Sequence, residues 1–485
     1  MRPSHFRIAA PRWATAFVLP VLACSRPPGA DPKLVSEWTH TLYGAIRVER
    51  MSPPVASRLM GYASSALYAG LATASNRMAP LSGVLNGFPK LSQPKSSKDY
   101  DGTLTAVSAE RVVLDSLLRE GLPTTRNAVA RLADSIARAR SALGVPAATR
   151  ARSDSLGRAI GLAIVAWSRT DGFDTTRGRP YAPPVGLAFW VNDAPGNTYA
   201  SQSLSGASEF VALDNPANVL QAGNSSDRGL ILSRPKQKGV KTLPAVNMAG
   251  TSEPYWGEIR PFVLRTWNEC PVTEPPAYSA DSVSARYEDA KRVFDTKTGL
   301  TPDQRAIAFY WADNSGESGT PVGHWISIAS QMISERHLSA EDAARVMVLT
   351  SAAQADAFIA SWGYKYQFSM IRPRTYIRRL IDPTWEPLIP TPPFPEYPSG
   401  HSTQSSAAAE VLTALVGDMP FEDSTSVSLG HAVRHFASFR AAAEEAGMSR
   451  IYGGIHFPTG NLGGRALGKC VGDKVVERFR AATAQ

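Results

Sequence analysis

The sequence predicts an all-α protein, a bundle of helices interrupted by one long irregular region. Three observations carry this. Apolar residues recur at helical spacing across residues 33–170 and again across 279–485. Helix-start signals precede several of those runs, among them the capping box Thr301-Pro302-Asp303-Gln304, with proline at the first helical position. No set of alternating segments is large enough for a central sheet, and the chain has no internal repeat.

Residues 1–23 have the layout of an export signal. Arg2, Arg7 and Arg12 precede an apolar run over 13–23 that is too short to span a bilayer comfortably. Val21-Leu22-Ala23-Cys24 resembles a bacterial lipobox, in which the cysteine is lipidated and becomes the mature N-terminus; plain secretory cleavage after Ala23 is the alternative. The expectation is an exported protein, lipid-anchored in the cell envelope or secreted, with 24–34 as a tether. Removing the three arginines lowers the formal charge from +9 to +6. A basic surface suits anionic substrates or membranes, but no basic block interleaved with aromatics points to nucleic acid. No later stretch has the length of a membrane helix, so contact with a membrane is expected only through the lipid. Cys270 and Cys470 remain as an even pair in an oxidising compartment, free to bridge if their Cα atoms fall within about 7 Å.

Two segments are expected beyond the tether: a helical scaffold with its loop region over 35–265, and a catalytic helical domain over 266–485. In the first, helices are expected over 35–47, 55–74, 107–119, 124–143 and 153–167. Ser52-Pro53-Pro54, Gly121-Leu122-Pro123 and Val145-Pro146 separate them. From 171 to 265 helical periodicity fades. Turns are expected at Asp193-Ala194-Pro195-Gly196-Asn197 and Asn224-Ser225-Ser226-Asp227, with a basic loop at Pro235-Lys236-Gln237-Lys238-Gly239. So long an irregular stretch is often functional and could line the mouth of a site.

In the second segment a helix opens at Thr301, and another, capped at Ser339, runs towards Lys365. Lys365 and Arg372 are seven apart, two turns on one helix face, and Pro373 ends that helix at Arg372. The small-residue run 402–416 is a helix, a further helix is expected over 426–446, and the last covers 463–482. His431 and His435 would then share one helix face at i, i+4, without a third ligand. His324, which precedes Trp325, is placed near the site or in the core, with the core favoured.

The chemistry gathers at Pro398-Ser399-Gly400-His401. This loop follows the proline-rich Pro390-Thr391-Pro392-Pro393-Phe394-Pro395-Glu396-Tyr397 and opens a helix. Free amides and the positive end of the helix dipole favour an oxyanion there. Ser399 adds a hydroxyl, Gly400 lets the backbone come close, and His401 can move a proton near neutral pH. Upstream stand Lys365 and Arg372-Pro373; downstream stand Ser449-Arg450 and His456. Three cations and two histidines thus flank one anion-ready loop.

This three-part pattern resembles the superfamily of type 2 phosphatidic acid phosphatases and vanadium-dependent haloperoxidases, most clearly over residues 251–475. The resemblance implies a helical bundle of the vanadium haloperoxidase type. It also implies a vanadate cofactor, with His456 as its sole protein ligand, Lys365, Arg372, Ser399, Gly400 and Arg450 around it, and His401 as acid or base. The substrates would be hydrogen peroxide and halide. Phosphate can occupy the same site, because trigonal-bipyramidal vanadate imitates a phosphoryl-transfer transition state. The alternative is therefore an extracytoplasmic phosphatase acting on phosphomonoesters, with His456 as nucleophile and His401 as general acid/base. A non-catalytic binding protein that keeps the anion site is a third reading, disfavoured by the intact set of residues.

Trp362 and Phe394 match positions on the halide side of fungal-type chloroperoxidases, or serve as packing. Asp313 resembles an acid that holds the site's arginine, or ends a helix. One departure stands out. The family pattern has an aspartate four residues after the axial histidine, and here that position is Gly460. Asn461 is the expected substitute if the loop shifts.

Overall fold

The computed structural model describes residues 29–91, 94, 96–192 and 252–483. The signal segment, Cys24 and the turns and basic loop expected between 193 and 239 lie outside them. The regular elements among the described residues are helices apart from one short hairpin.

In the first half, α1 (Leu34–Val48), α2 (Pro53–Ala72), α3 (Gly102–Leu117), α4 (Pro123–Ala142) and α5 (Ala147–Ser168) follow the expected order. Helix α2 begins on Pro53 and is buried from Pro53 to Leu71, so it has no solvent face. Its alanine, serine and glycine content allows that, because small side chains let α3 and the long helix of the second half approach on both sides. Asp101 caps α3 by accepting from the Leu104 amide and also accepts from Arg140 of α4. A four-residue helix, α6 (Phe173–Thr176), follows.

The second half comprises α7 (Ala285–Thr298), α8 (Pro302–Tyr310), α9 (Thr320–Glu335), α10 (Ala340–Phe368), α11 (Pro373–Leu380), α12 (Gly400–Val416), α13 (Phe439–Tyr452) and α14 (Pro458–Thr483). The capping box at Thr301 and the Ser339 cap are both formed. Helix α10 is the central strut, packing on α2 to one side and on α12 to the other. One apolar core therefore runs through both halves, from Trp38 and Leu59 to Leu349, Leu412 and Val471. Helices α12 and α14 pack so closely that a Cβ at Gly468 would fall 2.0 Å from the Thr403 carbonyl oxygen.

Two tethers bind the stretch ahead of α7 to this frame. The buried Asp356 carboxylate on α10 accepts the amides of Phe262, Val263 and Leu264. Cys270 is disulfide-bonded to Cys470 on α14, with Cα atoms 5.9 Å apart. No helix among the described residues is long and apolar enough to cross a membrane.

Two expectations are corrected. Residues 426–446 do not form one helix. Strands β1 (Phe421–Asp423) and β2 (Arg434–Phe436) pair antiparallel, with Phe421 opposite Phe436, before α13 begins at its Ser438 cap. His431 therefore lies in the connection and His435 on β2, so they share no helix face. Lys365 and Arg372 are not on one helix either. Helix α10 ends at Phe368, Ser369 takes the left-handed conformation (φ 47°), and Arg372 is the N-cap residue of α11. Arg450 lies in the last turn of α13.

Candidate functional site

The site forms where the proline-rich loop, the N-terminus of α12 and the ends of α10, α13 and α14 meet. Ser399 is the N-cap of α12, its oxygen accepting from the Ser402 amide and lying 2.8 Å from the Ser402 hydroxyl oxygen. Gly400 and His401 are the first two helical residues, whose amides have no acceptor within the helix. A Cβ at Gly400 would press on Trp362 at 3.2 Å, so the glycine is explained by this neighbour as well as by an anion.

Lys365 is fully buried. Its ammonium donates to the carbonyls of Pro395 (3.1 Å), Glu396 (2.8 Å) and Pro398 (2.5 Å). All three donors thus clamp the loop that carries Ser399. Arg372, also fully buried, donates from Nε to Phe394 O and from Nη1 to Ile455 O and His456 Nε2, the last at 3.1 Å. Arg450 donates to Ser449 Oγ and to the Trp311 carbonyl. Burial, reinforced by Arg372, pulls the Lys365 ammonium well below its ordinary range. Trp362 and Phe394 lie with ring centres 4.9 Å apart and form an aromatic wall over these cations. Lys365 is 5.2 Å from the Phe394 ring centre and Arg372 is 4.9 Å from it. The Trp362 indole N–H donates to Ser252 O.

His456 is held at both nitrogens. Nδ1 lies 2.7 Å from Glu396 Oε1, and Nε2 faces the Arg372 donor. A guanidinium only donates, so Nε2 bears the lone pair and Nδ1 carries the proton, donated to the carboxylate. Burial and the cations Arg372, Lys365 and Arg450 depress the His456 pKa well below its usual value, which keeps the ring neutral. Burial pushes Glu396 up to about 7, against the pull of Arg372 and Lys365. Glu396 therefore stands where a carboxylate was missed at Gly460. The expected substitute does something else: Asn461 Oδ1 accepts from Ser402.

His401 keeps 17% of its side-chain exposure, whereas Lys365, Arg372, Arg450 and His456 are buried. Its pKa is driven well down by burial, then by Arg450 and His324. Its Nε2 lies 4.0 Å from Asp313 Oδ2. Asp313 does not hold an arginine. It pairs with His324 Nδ1 at 3.1 Å, while His324 Nε2 meets Asp423 Oδ2 at 2.8 Å. The ring stacks on Trp311, 4.3 Å between centres. Burial alone would lower the His324 pKa, but the two carboxylates outweigh it and raise it to about 10, so this core histidine is an imidazolium.

Sequence reasoning missed three members of this arrangement: Glu396, His324 as an ion-pair partner, and Asp423. Glu396 left a trace, as the only charged residue between Pro387 and Gly400. Asp423 left none.

The groups present suit an oxyanion such as vanadate or phosphate: buried cations, helix N-terminal amides, the Ser399 hydroxyl and the lone pair of His456. The buried Nε2 of His401 finds no hydrogen-bond partner among the described residues, which leaves it for a ligand oxygen. Among those residues no cluster of three or more His, Cys, Asp or Glu could hold a bare cation.

Comparison with known proteins gives a consistent family. Residues 345–485 match the family model of the VCPO second helical-bundle domain. Vanadium chloroperoxidase of Curvularia inaequalis is 26% identical over 51% of this chain and 54% of its own length, so the chain spans about half of that curated relative. The crystal structure described as the first bacterial vanadium-dependent iodoperoxidase is 29% identical. The likeness covers 93% of this chain and 97% of that one, with a TM-score of 0.75. A holo-type bacterial vanadium-dependent chloroperoxidase, 16% identical over 90% of this chain and 96% of its own, shares the fold at a TM-score of 0.59.

Proposed function

The chain belongs to the vanadium haloperoxidase superfamily, and on that premise we propose that it is a vanadium-dependent haloperoxidase, oxidising halide with hydrogen peroxide at a vanadate centre held by His456. The observation that carries this is the double anchoring of His456. Its Nδ1 proton goes to Glu396, which leaves Nε2 as a neutral donor atom among cations.

When bound, vanadate would supply the electrophilic centre that activates peroxide towards halide. The remaining work falls to the chain. His456 Nε2 is the ligand atom. The Ser399 hydroxyl and the amides of Gly400 and His401 donate to the anion's oxygens. Arg372 and Arg450 supply positive charge from fixed positions. Lys365, with its three donors on loop carbonyls, contributes charge and a rigid loop. His401, neutral in the anion-free site and the most accessible of the set, takes and returns the proton.

One observation favours a second reading. A phosphatase nucleophile must be activated, and Gly460 offers no carboxylate for that. Glu396 supplies one, so His456 is also arranged to attack a phosphomonoester. The deciding experiment is an assay of bromide oxidation by peroxide after loading with orthovanadate, run beside phosphate release from a phosphomonoester without vanadate. Halide oxidation that depends on vanadate supports the first reading. Phosphate release alone supports the second.

Export and lipidation of Cys24 complete the proposal. The Cys270–Cys470 bridge supports an oxidising compartment. Mass spectrometry of the mature membrane-fraction protein tests the anchor, and an unmodified Cys24 on the mature chain rejects it.

A further inference from the structure

We propose that Glu396 is the positioning carboxylate of His456, moved from the helix that follows the histidine to the loop that precedes the anion-binding helix, and that Gly460 is its obligatory steric counterpart. The inference rests on the oxyanion reading of the site.

Two facts make the positions mutually exclusive. Glu396 Oε1 lies 2.7 Å from His456 Nδ1 and 2.9 Å from the Phe457 amide. A Cβ built on Gly460 would lie 2.2 Å from that same Oε1 and 2.9 Å from Cδ and Oε2. Even alanine at 460 would therefore collide with the carboxylate. The overlap cannot be relieved cheaply, because Glu396 is buried, its backbone is fixed and its Oε1 is held by His456 and the Phe457 amide. Its amide donates to Met370 O (3.0 Å), its carbonyl accepts from Lys365 (2.8 Å), and the residue is completely buried.

The same geometry says what an exchange would look like. The oxygens of an aspartate at 460 lie two bonds beyond its Cβ. With Glu396 removed, they can occupy the volume its Oε1 vacates, within reach of Nδ1 and of the Phe457 amide. One carboxylate from either source can serve both donors, but two cannot be present together. The relocation also has a consequence. Through Glu396 the loop clamped by Lys365 and the ligand atom of His456 become one rigid unit, so the Nδ1–H tautomer is maintained by the same segment that presents Ser399 and Gly400.

The test uses full-length mature protein labelled with 15N-histidine, and the variants Glu396→Ala, Gly460→Asp and Glu396→Ala/Gly460→Asp. The His456 tautomer is read by NMR without vanadate, with His456→Ala assigning the signal. Orthovanadate and orthophosphate affinities are read by calorimetry. In the parent protein the Nδ1–H tautomer is expected. Glu396→Ala should lose that fixed tautomer and bind both anions at least about tenfold more weakly. Gly460→Asp alone should lower the melting temperature through crowding. The double variant should regain the Nδ1–H tautomer and most of the affinity.

A wild-type tautomer and affinity in Glu396→Ala overturns the proposal. So does a folded double variant no better than Glu396→Ala. If Glu396→Ala does not fold, because the Phe457 amide loses its acceptor, the double variant decides by itself: refolding with the Nδ1–H tautomer supports the exchange, and failure to fold overturns it. A parent protein that binds neither anion would end the oxyanion reading, while the tautomer measurement would still judge Glu396.

Discussion

The buried arginines of the first half and the cations of the candidate site are held in different ways. In the first half each is met by a carboxylate. Arg140 donates twice to Asp101 Oδ2, and Arg58 donates to Asp171 Oδ2, which also accepts from Tyr62. At the candidate site Lys365 donates to three backbone carbonyls, Arg372 to those of Phe394 and Ile455 as well as to His456, and Arg450 to that of Trp311 as well as to Ser449. A charge closed off by a carboxylate serves as structural glue. A cation fixed by carbonyl dipoles is positioned with its charge still there to attract a ligand.

The largest expected effect is at His456. Replacing it with alanine removes the ligand atom, or the nucleophile, and should abolish both halide oxidation and phosphate release. Arg450→Ala and Asp101→Ala sharpen the contrast, because each breaks a buried charge arrangement that is typically worth about 3–5 kcal/mol. For Arg450 that should appear as roughly two to four decades of lost vanadate affinity in calorimetry. For Asp101 it should appear as lost stability in denaturant unfolding, with anion affinity unchanged in the protein that remains folded. Equal losses of stability in both variants would erase that distinction.

His401→Ala comes next. It should lower turnover by about 10²–10⁴-fold, the usual contribution of a general acid or base, while vanadate binding persists. Ultraviolet difference spectroscopy beside steady-state rates checks this. A variant with full rates would remove His401 from the mechanism.

The smallest effect belongs to His324, a buried cation matched to carboxylates inside the second half. Its folded pKa, about 10, is above the unfolded value of about 6.5. Its contribution is therefore complete below about pH 6.5 and is lost as pH rises towards 10. Asp423, lowered because His324 and its hydrogen bonds outweigh burial, adds stability present above about pH 4 and lost on acidification. The stability gap between the parent and His324→Gln, on the order of 2 kcal/mol for charge-assisted bonds, should be widest between about pH 4 and 6.5 and should close by pH 10. Thermal melts across that range measure it. A gap independent of pH would mean that the ring is packed neutral.

What the sequence determined by itself was local. Helices announced themselves through spacing and caps, as at Ser339 and Thr301, because a cap is a contact between residues three apart. The three anion motifs were legible for the same reason: each places its donors within a few residues of one helix end or turn. The reading failed where local cues were ambiguous. The Lys365–Arg372 spacing fits one helix, yet Ser369 breaks it. The hairpin of β1 and β2 depends on Phe421 meeting Phe436, a contact between separate segments. Tertiary structure alone decided the partners of the buried charges. Glu396 reaches His456 across 60 residues, and His324 reaches Asp423 across 99. A carboxylate is identified by what it touches, and a buried imidazole can accept one from any direction that packing permits. Gly460 recorded in the sequence that the usual carboxylate was missing, but only the fold could reveal that the space it left was filled from the other side.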